Sequence, residues 1–93
     1  MEQHRFIFLV SNIHPESVTQ DPDGNVIVVL KDNIQITHSY PGNKMRLYVG
    51  KSNVYRLRDQ SELESVFRIY LENESLYSAL YEYANKHFEI EGK

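Results

Sequence analysis

Ninety-three residues, 41% hydrophobic and 25% charged, suffice for one domain around a single core and are too few for two. With no cysteine, the chain has no disulfide, no thiolate nucleophile and no Cys-based zinc or iron–sulfur site. The net charge of −3 argues against strong non-specific nucleic-acid binding, but it is unevenly spread. Residues 1–58 carry seven Lys/Arg against five Asp/Glu, and residues 59–93 carry three against eight.

Phe6-Ile7-Phe8-Leu9-Val10 is an apolar run of five residues, a length no other run in the chain exceeds, and is rich in β-formers. It is far short of the roughly 18–20 residues that span a bilayer and lacks the flanks of a signal peptide, so a cytoplasmic, membrane-free protein is expected. A run without alternation predicts a central strand covered on both faces, and Val26-Ile27-Val28-Val29-Leu30 predicts another. Between them, residues 13–17 read as a loop. Asp21-Pro22-Asp23-Gly24 reads as a tight turn, with Pro pre-set at the second position and Gly free to take positive φ.

The next three connections set the faces of the sheet. Lys31-Asp32-Asn33 and Lys51-Ser52-Asn53 fit three-residue hairpin loops ending in a left-handed Asn. Tyr40-Pro41-Gly42-Asn43 fits a type II turn with Gly third. These lengths oppose Leu30 to Ile34, Val28 to Ile36, His38 to Met45, Ile36 to Leu47, Val49 to Tyr55 and Leu47 to Leu57. One face then holds Val26, Val28, Leu30, Ile34, Ile36, His38, Met45, Leu47, Val49, Tyr55 and Leu57, apolar except for His38. The other holds Ile27, Val29, Gln35, Thr37, Ser39, Lys44, Arg46, Tyr48, Arg56 and Arg58.

After Arg58 the period becomes helical. Ser61-Glu62-Leu63-Glu64 reads as a capping box, followed by an apolar stripe of Leu63, Val66, Phe67, Tyr70 and Leu71. Residues 72–75 interrupt the stripe, which resumes with Leu76, Tyr77, Leu80, Tyr81, Ala84 and Phe88; two helices are preferred over one. Tyr83 falls off the stripe and is expected to be exposed. Residues 89–93 read as a frayed tail. The expected fold is α+β: an antiparallel β-meander of four to five strands over 1–58, then a C-terminal helix or helical hairpin over 59–90, packed on one face of a single domain.

From Asn33 to Arg58 there are five Lys/Arg and no carboxylate. Lys44, Arg46, Arg56 and Arg58, with Tyr48 among them and Lys51 at a hairpin tip, form a basic outer face, and Ile27 and Val29 add an apolar part. An apolar patch rimmed by Arg, Lys and Tyr is typical of protein interfaces. A small non-catalytic binding protein is therefore expected: a regulator, adaptor or inhibitor acting through protein–protein contacts, with a homodimer among the candidate assemblies. The first alternative is a nucleic-acid-binding module that sets the basic residues on phosphates and stacks Tyr48 on a base. A second is a phage-type inhibitor of a nucleic-acid enzyme that presents the acidic helical surface. No catalytic residues, metal ligands or cofactor are expected. The histidines His4, His14, His38 and His87 lack paired ligand spacing, there is no Gly-rich phosphate loop, and no nucleophile elbow is recognisable.

Overall fold

The computed structural model describes residues 2–40 and 42–91. The chain begins with helix α1 (Gln3–Ser11) and continues as strands β1 (Ser17–Gln20), β2 (Asn25–Leu30), β3 (Ile34–Ser39), β4 (Lys44–Val49) and β5 (Asn53–Leu57). Helices α2 (Gln60–Glu72) and α3 (Leu76–His87) follow, and a short strand β6 (Glu89–Ile90) ends it. The six strands form one antiparallel sheet in chain order. This is the α+β meander with C-terminal helices that the alternation predicts, with one strand added at each margin. Among the described residues, no helix is long and apolar enough to cross a membrane.

Every residue assigned to the inner face is buried, from Val26 through Leu57. The β2–β3 and β3–β4 registers are as the loop lengths require: Leu30 opposes Ile34, Val28 opposes Ile36, Ile36 opposes Leu47 and His38 opposes Met45. The β4–β5 hairpin differs. Its loop is residues 50–52 rather than 51–53, so Val49 opposes Asn53, Leu47 opposes Tyr55 and Met45 opposes Leu57. Gly50 (φ 70°) supplies the left-handed residue assigned to Asn53. The register moves by two residues, which leaves every side chain on its expected face. In the 40–43 connection the left-handed residue is Asn43 (φ 49°) rather than Gly42; Pro41 lies outside the described residues. The Asp21–Gly24 turn forms as expected. Gly24 takes φ 91°, and the Asp21 carboxylate accepts the amides of Asp23 and Asn25.

Phe6–Val10 is helical, not a strand. Phe6, Val10 and, just past the helix, Ile13 are buried at i, i+4 and i+7, while Phe8 is 66% exposed. A five-residue apolar run satisfies either period, and here the helix lets one edge pack on the sheet. The segment read as a loop ends in β1, whose Val18 and Thr19 suit a strand edge. Helix α2 starts before the expected capping box: Asp59 is the N-cap and accepts the Glu62 amide, while Glu62 accepts the Arg58 amide. The break at residues 73–75 does separate two helices, and Lys31 Nζ donates to the Asn73 carbonyl at 2.8 Å across it.

All three helices pack on the same side of the sheet. Phe6 and Val10 of α1, Leu63, Val66 and Phe67 of α2, and Leu76, Leu80 and Ala84 of α3 share one core with the inner-face strand residues. His38 is fully buried within it, as a structural histidine: its ring lies 4.7 Å from that of Phe6 and its Nε2 is 3.2 Å from Asn43 Oδ1. Tyr83 is half-buried against His87 and Phe88, contrary to expectation. Tyr77 and Tyr81 are the exposed pair, stacked at 5.9 Å.

Candidate interaction face

With the helices on one side, the opposite face of the sheet is left open. The ladders align its side chains in rows across the strands. One row runs Thr19, Ile27, Thr37, Arg46, Arg56, Glu89. The next runs Ser17, Val29, Gln35, Tyr48, Val54. Ile27 and Val29 thus lie in adjacent rows on β2, one strand in from the β1 edge, half-buried by their neighbours, with Tyr48 and Arg46 two strands away. Lys44 opposes Ser39 at the start of β4 and is exposed, and Lys51 is exposed at the β4–β5 turn.

Arg58 stands apart from this group. It follows the end of β5 and turns to the start of α2, where its guanidinium meets Glu62 at 3.0 Å. That pairing raises the Arg58 pKa further above its already high ordinary value. Asp59 and Glu62, two carboxylates of the acidic segment, are thereby engaged in starting a helix.

Residue-type reasoning missed Glu91. Glu89 and Ile90 pair with Arg56 and Tyr55, and the Glu91 amide donates to the Val54 carbonyl at 2.8 Å, so the first part of the expected tail is a strand at the sheet edge, while residues 92–93 lie outside the described residues. This brings the Glu91 carboxylate onto the open face, 3.6 Å from Arg46 and 3.5 Å from Arg56. Its Oε2 is shut off from solvent, yet neither guanidinium makes a well-formed hydrogen bond to it. Burial raises the Glu91 pKa, but the two guanidiniums outweigh that and hold it below the ordinary carboxyl value. The alternation Phe88-Glu89-Ile90-Glu91 was the one available signal for this strand.

Beside Glu91 lies a shallow groove of about 360 Å³, lined by Arg46, Tyr48, Ser52, Asn53, Val54, Ile90 and Glu91. The face therefore combines an apolar centre, an aromatic side chain and two guanidiniums that share one carboxylate. It can bind an apolar surface and an anionic group together. Comparison with protein-family models, with curated proteins and with solved structures finds no match for this chain.

Proposed function

We propose that this chain is a small binding protein, a regulator, adaptor or inhibitor, that holds a protein partner on its open sheet face. Ile27 and Val29 supply the apolar centre, Tyr48 an amphipathic anchor, and Lys44, Arg46 and Arg56 the attraction for an acidic rim. The single observation behind this reading is the stacking of all three helices on one side, which leaves Ile27 and Val29 of β2 half-uncovered on the other. A nucleic acid is the competing ligand for the same basic residues. The half-uncovered Ile27 and Val29 favour the protein reading, because apolar surface adds to a protein interface and offers nothing to phosphates.

The deciding experiment is capture from nuclease-treated native lysate with the wild-type chain and with an Ile27→Lys/Tyr48→Ala variant. A protein retained by the first and lost by the second is the expected result. Capture that disappears with nuclease, or that ignores both substitutions, overturns the reading. If the partner is a second copy, light scattering will give twice the 11.0 kDa chain mass.

A further inference from the structure

The pair Arg46 and Arg56 sit directly opposite each other on β4 and β5. Like charges so placed repel unless an anion lies between them, so the ladder itself creates a position for a carboxylate. Glu91 fills that position poorly. Its contacts are 3.6 and 3.5 Å, whereas charge-assisted hydrogen bonds from Arg close to about 2.7–2.9 Å.

The strand that delivers Glu91 is also weakly held. β6 has two residues, and its apolar side chain, Ile90, is 58% exposed and so adds little burial. With β6 displaced, β5 becomes a sheet edge, of the kind that accepts an added strand. The groove along Tyr48, Asn53 and Val54 leaves room for a longer occupant.

We propose that the β5 edge with Arg46 and Arg56 docks an extended acidic segment of the partner protein, and that Glu89–Glu91 occupies this dock as an intramolecular stand-in that the segment displaces. This rests on the open-face reading above and assigns it a partner chemistry: a strand alternating acidic and apolar residues, main chain paired to β5, one carboxylate seated between the two guanidiniums. Tethering gives the stand-in a high effective concentration, so the dock stays closed to weak anions and opens to a segment that pairs over more residues.

The test uses full-length chains and a synthetic peptide with the sequence of residues 86–93, followed by amide NMR. In the Glu91→Ala chain the peptide should shift the Val54, Tyr55 and Arg56 amides and saturate at a concentration at least about tenfold lower than in wild type. A peptide with both glutamates replaced by lysine should shift nothing, and Arg46→Ala/Arg56→Ala added to Glu91→Ala should abolish the effect. Equal titrations in wild type and Glu91→Ala, or no shift at β5 in either, overturn the proposal. Tighter binding of a twelve-residue oligothymidylate than of the peptide overturns the choice of a protein segment. If the lysate partner is captured through Ile27 and Tyr48 while Glu91→Ala changes neither capture nor titration, only the displaceable dock fails. If capture ignores Ile27 and Tyr48, the open-face reading itself fails.

Discussion

Arg46 and Arg56 face each other across the β4–β5 ladder with the Glu91 carboxylate reaching both, so a chain-terminal strand neutralises a repulsion that the central hairpin creates. The arrangement joins a two-residue strand to two opposed guanidiniums on the open face.

That link should be broken by acid. The Glu91 carboxyl is lowered in the fold, so its contribution is complete above the ordinary glutamate range and is lost as pH falls through the lowered value. Between neutral pH and pH about 3, the protection factors of the Ile90 and Glu91 amides, each taken against the intrinsic exchange rate at that pH, should fall before those of β2 and β3. Simultaneous loss of protection in all strands would show that β6 is not a separate unit.

His38 gives a second pH response, in a higher window. Burial lowers its pKa, with the Asn43 hydrogen bond acting the other way. The unfolded chain therefore takes up a proton first as pH drops through about 6.5, and stability falls from there toward the lowered folded value. Urea unfolding at pH 7.5 and 5.5 should show this loss, and His38→Leu should shrink it. An equal pH dependence in the variant would place the effect elsewhere.

The helical state of Phe6–Val10 has a simple mutational signature. Phe6→Ala should cost about 3–5 kcal/mol, as a buried aromatic does, whereas Phe8→Ala should change stability by less than about 0.5 kcal/mol. Two comparable losses in chemical denaturation would instead fit a strand covered on both faces.

Gly50 is constrained twice. Its φ of 70° disfavours a side chain, and a Cβ there would lie 3.2 Å from the Tyr77 ring. Gly50→Ala should destabilise by about 1–2 kcal/mol. Adding Tyr77→Ala should relieve the steric part only, so the double variant should lose less than the sum of the two single losses.

The alternation in residues 26–57 was by itself enough to determine the core face of β2–β5, because a period of two is local and survives a register shift of two residues. The β4–β5 hairpin demonstrates this: its loop moved from 51–53 to 50–52, and Tyr55 and Leu57 stayed inside. The interruption after Glu72 likewise separated α2 from α3, since a break in an apolar stripe is also a local signal. What the tertiary structure alone decided is of another kind. A five-residue apolar run can be helix or strand, and only the core available to Phe6 and Val10 selected the helix. Residues 89–90 became a strand because β5 offered an unpaired edge, and Glu91 acquired its role because that pairing delivers it to Arg46 and Arg56. Composition could locate the basic residues, but the anion between them comes from a part of the chain distant in sequence, and only long-range strand pairing brings the two together.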